Sequence, residues 1–88
     1  PRETARLTMT HTVQLFARFR DSAGPAVAVD LPAGATVAEL RQAITAAHPG
    51  LAPLLAVSRI AVNHEFAADV DEIPDGAELA VIPPVSGG

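Results

Sequence analysis

No cysteine and no lysine occur among the 88 residues, tryptophan and tyrosine are absent too, and phenylalanine occurs three times. Without cysteine there is no disulfide frame, no thiolate metal site, no iron–sulfur cluster and no cysteine nucleophile. All six basic residues are arginines, none of them clustered, and the net charge is −4, which argues against a binder of phosphate backbones. No apolar run has the length of a signal h-region or a membrane span. His11, His48 and His64 lack ligand spacing. The acidic run from Asp69 to Gly76 fails as a calcium loop, because its glycine is not at the sixth place and Pro74 stiffens it. The expectation is a soluble, cytoplasmic domain with no metal site, no bound cofactor, no nucleic acid and no membrane.

What the chain does have is aliphatic. Leu, Ile, Val and Phe make up 24 of the 88 residues, and alanine another 18. That is enough for one compact core and too little for two.

The order of elements follows from periodicity. Thr12 to Arg20 alternates Val13, Leu15, Ala17 and Phe19 with Gln14, Phe16 and Arg18, which predicts a strand. Asp21 to Pro25 is a turn cluster, and Ala26 to Leu31 a second strand with Val27, Val29 and Leu31 on one face. Pro32-Ala33-Gly34 breaks it. Thr36-Val37-Ala38-Glu39 has the form of a capping box and opens a helix whose stripe is Val37, Leu40, Ala43, Ile44 and Ala47. Pro49 and Gly50 end that helix after His48.

Leu51 to Val57 carries Pro53 and predicts a short turn or 3₁₀ segment over the core. Arg59 to Val62 is a short strand, Asn63-His64 a hairpin turn into Glu65-Phe66, and Pro74-Asp75-Gly76 a turn before a last strand, Glu78 to Ile82. The prediction is an α+β roll: a mixed sheet of four to five strands, one main helix, and the first and last strands side by side in the middle. Residues 1–8 read as a disordered extension or cloning remnant ahead of a natural start at Met9. Residues 9–82 form the domain and residues 83–88 an extended tail.

The tail is the informative feature. Pro83-Pro84-Val85-Ser86-Gly87-Gly88 reaches about 20 Å when extended. The proline pair stiffens its base and lowers the cost of ordering it on a partner. Gly87 and Gly88 have no side chains, so the terminal carboxylate can enter a narrow channel. A carboxylate is a poor electrophile and requires activation, for example as an acyl-adenylate. Along the last strand, Ile82 alternates with Leu79 and Val81. With those two in the core, Ile82 faces outward at the root of the tail.

This tail resembles that of the MoaD family, the ubiquitin-like sulfur carriers that form the small subunit of molybdopterin synthase. Three other stretches resemble the family as well. They are Leu15 to Gly24, Thr36 to Leu40, and Ala61-Val62-Asn63 followed by Asp75 to Ala80. The resemblance implies a β-grasp fold. It implies that an E1-like enzyme adenylates Gly88 with ATP and that a sulfur donor then converts it to a thiocarboxylate. The sulfur passes to cyclic pyranopterin monophosphate in the active site of a large subunit, in a heterotetramer where the small subunit is not itself catalytic.

The resemblance also implies that Phe66 and Ile82 meet the partner and that Arg20 of the Phe-Ala-x-x-Arg pattern ion-pairs with it. Phe16, expected on the same exposed face as Ile82, is a further candidate for that contact. The family often carries an aromatic residue at the position of Ile82, so the anchor here is smaller. Six of ten acids lie in the last third of the chain, where they steer a basic partner surface. Three alternatives remain at this level: a sulfur carrier for thiamin thiazole or cysteine synthesis, a ubiquitin-like covalent modifier, and a non-covalent interaction module.

Overall fold

A computed structural model describes residues 8–16 and 24–84. Among the described residues five strands and two helices follow one another: β1 (Thr8–Leu15), β2 (Ala26–Pro32), α1 (Val37–Ala47), α2 (Ala52–Ala56), β3 (Arg59–Val62), β4 (Glu65–Ala67) and β5 (Leu79–Ile82). They form one mixed sheet in the order β2-β1-β5-β3-β4. β1 and β5 run parallel, with Val13 opposite Leu79 and Leu15 opposite Val81, and the other neighbours are antiparallel. The first and last strands therefore lie side by side inside the sheet, as the aliphatic patterning predicts.

One face of the sheet is dry. Val13, Leu15, Val27, Val29, Leu31, Ile60, Leu79 and Val81 pack there against Val37, Leu40 and Ile44 of α1 and against Leu51 and Leu55. Fully burying each of these side chains contributes about 1.5–3 kcal/mol of transfer free energy. α1 starts where its sequence says. Glu39 N–H donates to Thr36 Oγ1 at 3.3 Å, and Thr36 N–H donates to Glu39 Oε1 at 2.9 Å. Ala47, expected in the buried stripe, is exposed, since by the last turn the stripe has drifted round to the rim of the contact.

Two turns of the same form bracket the helical half. Ala35 N–H donates to Pro32 O at 3.1 Å and Ala77 N–H donates to Pro74 O at 3.2 Å. The third residue of each turn, Gly34 or Gly76, has φ near +75°, a region that favours glycine (φ 77° and 73°). Between them, the segment after β4 folds back along the start of α1. Val37 N–H donates to Asp71 O, Ala38 N–H to Asp69 O, and Ile73 N–H to Ala35 O, at 2.8–3.0 Å. Two of the N–H groups that a helix start leaves unpaired are thus satisfied by a loop distant in sequence.

Three sequence expectations are corrected here. β1 begins at Thr8, which pairs with Pro32, so Thr8 belongs to the sheet and not to an extension. The stretch Thr8 to His11 is a strand because its threonines are β-branched and alternate with Met9 and His11. His11 sits in the core row with 8% exposure. The strand ends at Leu15, and its expected continuation to Arg20 runs beyond Phe16 into residues outside those described. The segment between α1 and β3 is a 3₁₀ turn, Pro49–Leu51, running directly into the short helix α2.

Candidate functional site

α1 covers one face of the sheet; the opposite face is open. Strand alternation puts Thr10, Thr12 and Gln14 of β1 there, with Phe16 next in the same row. Ala80 and Ile82 of β5, Arg59 and Ala61 of β3, and Phe66 of β4 join them. Ala80 stands between Gln14 on one side and Ala61 on the other. These small side chains form the floor of a depression of about 870 Å³, and Phe16, Ile82 and Phe66 stand at its rim.

The sequence-predicted trio is therefore brought together. Phe16 follows Leu15, and Ile82 follows Val81, in neighbouring parallel strands whose Leu15 and Val81 are paired, so the two side chains leave the sheet side by side. Ile82 is half-buried. Phe16 is 44% and Phe66 59% exposed, which marks them as large apolar groups open to solvent. Pro83 continues from Ile82 half-buried, and Pro84 is exposed, so the chain leaves the sheet at the edge of this depression.

Two features of the site go beyond what the alternation of single strands predicts. Arg59 lies opposite Ile82, and its guanidinium carbon sits 4.7 Å from the centroid of the Phe66 ring, a cation–π distance. That contact fixes the orientation of an otherwise exposed ring. His64 lines the same depression and contacts Glu78 through Nε2 and Oε1. Both depend on which strands are neighbours, and a single strand's periodicity does not carry that information.

The acidic residues of the last third are partly committed inside the fold. Asp69 accepts from Arg41 Nε at 2.9 Å, Asp71 accepts from the Ala68 N–H at 2.9 Å, and Glu78 meets His64. Glu65, Glu72 and Asp75 are exposed. Among the described residues no group of three or more His, Asp or Glu is placed to hold a metal ion, and no helix is long and apolar enough to cross a membrane. Arg20 and the residues Val85, Ser86, Gly87 and Gly88, all singled out from the sequence, lie outside the described residues.

The family model described as the ThiS family matches residues 13–88, which takes in all of the open face but Thr10 and Thr12, and the whole tail. The chain is 38% identical over 79 residues to the molybdopterin synthase sulfur carrier subunit of Chlamydomonas reinhardtii, covering 86% of this chain and 95% of that protein. Among solved structures, SAMP1 from Haloferax volcanii superposes with a TM-score of 0.79 at 34% identity, over 91% of this chain and all of that one. The complex of subunits 1 and 2 of molybdopterin-converting factor from Helicobacter pylori contains a chain matched with a TM-score of 0.63 at 27% identity. That match covers 91% of this chain and all of that one.

Proposed function

Because this chain belongs to the ThiS family, we propose that it is the sulfur carrier subunit of a molybdopterin synthase and acts in the cytoplasm. Gly88 is the working residue. An E1-like partner joins its carboxylate to ATP, giving an acyl-adenylate and releasing pyrophosphate. Hydrosulfide then displaces AMP and leaves a thiocarboxylate. That group is ionised near neutral pH and more nucleophilic than a carboxylate. Its sulfur attacks an electrophilic carbon of cyclic pyranopterin monophosphate held by a larger subunit and displaces an oxygen substituent from that carbon. Water then cleaves the acyl–sulfur bond of the resulting thioester, leaving the sulfur on the pterin and returning the Gly88 carboxylate.

The division of labour suits the chain. With no cysteine it cannot carry a persulfide of its own, so the sulfur arrives from another protein. The domain supplies a rigid body and an apolar seat, Phe16, Ile82 and Phe66, beside which the tail departs. Docking of that face on the large subunit aims the tail at the partner's active site, and the stiff proline pair reduces the conformational freedom lost on binding. The observation that carries this reading is the continuity of the open apolar face with a Pro-Pro…Gly-Gly tail, in a chain 38% identical to a named molybdopterin synthase sulfur carrier.

A second reading, a ubiquitin-like modifier forming isopeptides through Gly88, draws support from the likeness to SAMP1, a small archaeal modifier protein by name. Intact mass spectrometry decides between them. After incubation with the cognate E1-like enzyme, ATP and a sulfur source, the carrier gains the mass difference between sulfur and oxygen at its C-terminus, and then converts the pterin substrate with the large subunit. An unchanged terminal mass, with Gly88 found only in isopeptide linkages to other proteins, sinks the carrier reading.

A further inference from the structure

The two edges of the sheet are unequal. β4 is three residues long, too short to template another strand, whereas β2 presents seven. The register of β2 on β1 settles which of its backbone groups face outward. Leu15 N–H donates to Pro25 O at 2.9 Å across a directly opposed pair, so Val13–Val27, His11–Val29 and Met9–Leu31 are hydrogen-bonded pairs as well. The N–H and C=O groups of Ala26, Ala28 and Asp30 consequently point away from β1, and no described residue bonds to them there.

Among the described residues nothing guards this edge in the usual ways. Lysine is absent from the chain, and the prolines stand only at its two ends, Pro25 and Pro32. The single charge, Asp30, is drawn across the sheet face, where its Oδ1 accepts from Thr10 Oγ1 at 2.6 Å. Ala26 and Ala28 offer only methyl groups, so another backbone can approach closely.

We propose that β2 is a self-association edge that pairs antiparallel with β2 of a second copy of this chain, about a two-fold axis at Ala28. This register is the one the edge itself selects. It sets Ala28 opposite Ala28 and Ala26 opposite Asp30, and each pair exchanges both of its hydrogen bonds. Shifting the axis to Val29 would bring Pro32, which has no N–H, opposite Ala26 and lose a donor. In the chosen register the two Asp30 side chains stand about 13 Å apart along the strands, beyond the reach of strong repulsion at physiological salt. The interface is closed: each copy uses its one long edge, β4 is too short to continue the sheet, and a dimer forms, not a filament. Ile82, Phe66 and the root of the tail at Pro83 belong to or follow strands that do not neighbour β2 and stay free in the dimer.

An edge contact of this kind is small, so the association is weak, in the range of about 0.1–1 mM. Sedimentation of the full chain from about 10 μM to about 1 mM shows a monomer–dimer equilibrium, and the concentration-dependent amide shifts centre on Ala26, Ala28 and Asp30. Ala28→Pro removes only an outward donor and leaves the ladder to β1 intact, and it weakens dimerisation at least about tenfold. Ala28→Arg, which sets two like charges across the axis, does the same by a different route. A chain that stays monomeric throughout this range overturns the proposal. So does association that survives both Ala28 variants but is lost in Phe66→Asp, since the open face would then be the contact, and so do edge amides that shift only when another protein is added.

Discussion

Asn63 and Glu78 hold each other through two hydrogen bonds: the Asn63 N–H donates to Glu78 O at 2.8 Å and the Glu78 N–H donates to Asn63 Oδ1 at 2.9 Å. Asn63 is the first residue of the β3–β4 turn, and both it and His64 have positive φ, 52° and 71°. That is the twisted two-residue turn that suits a β-hairpin, and asparagine tolerates it better than most side chains. The pair therefore does two things. It fixes the turn, and it pins the start of β5, the strand that carries Ile82 and the root of the tail.

Replacing Asn63 separates those contributions. Asn63→Gly keeps the backbone conformation and loses the side-chain acceptor, leaving the Glu78 N–H to water, at a cost of about 1 kcal/mol. Asn63→Ala loses the acceptor and also strains the turn, at a cost of about 2 kcal/mol. Urea unfolding of the two variants should rank them in that order. Equal midpoints for Asn63→Ala and the parent chain would show that the turn is held by something else.

Arg41 is the second staple. Its guanidinium donates to Leu55 O at 2.7 Å, to Ser58 O at 2.8 Å and to Asp69 Oδ1 at 2.9 Å, joining α1 to the end of α2 and to the loop after β4. Carbonyls at a helix C-terminus lack partners inside the helix, and a cation there is favoured. Arg41→Lys cannot span three acceptors with one compact ammonium, so it is expected to lose about 1–2 kcal/mol, and Arg41→Ala about 2–3 kcal/mol. Asp69→Asn, on an exposed carboxylate, is expected to cost under about 1 kcal/mol. Thermal unfolding checks the order; an Arg41→Lys variant as stable as the parent refutes it.

The open face was legible because strand alternation is a strict period of two. Leu79 and Val81 read as core, so Ile82 had to face outward, and it does. The capping box at Thr36 and Glu39 was equally plain, because both partners are local in sequence. The start of β1 was not. Thr8, Met9, Thr10 and His11 carry too little aliphatic weight to register as a strand, and pairing with β2 decides their conformation. Arg41 was invisible for a related reason. Its three acceptors lie 14 to 28 residues away, and only the tertiary fold brings them to one guanidinium. The parallel neighbourhood of Phe16 and Ile82 needed the register as well.

Ile82→Asp tests the seat. The side chain is half-buried on the face opposite the core, so the variant should remain folded, with its melting temperature lowered by no more than a few degrees. A desolvated charge in the centre of an apolar contact is costly, and binding to the large subunit should weaken by about 100-fold or more. Phe66→Ala removes the ring that Arg59 covers and should weaken binding less, by about tenfold. Calorimetric titration with the partner reads both. Unimpaired binding by Ile82→Asp would place the interface elsewhere on the molecule.

The proline pair tests the tail separately from the seat. Pro83 and Pro84 restrict the root of the tail before any partner is met, so under the proposed function less freedom is lost when Gly88 is delivered to an active site. Replacing both with glycine leaves the open face and the terminal Gly-Gly untouched but enlarges the unbound ensemble, by about 0.4–1 kcal/mol per position. Affinity for the large subunit should fall by a factor of about 4–30, and thermal stability should hardly change, because Pro84 is exposed and the variant leaves the core intact. If the loss is instead confined to sulfur transfer with binding unchanged, the prolines aim the tail without contributing to its capture. A variant equal to the parent in both measurements would mean that the tail is ordered wholly by its partner, and that the stiffness written into the sequence serves neither step.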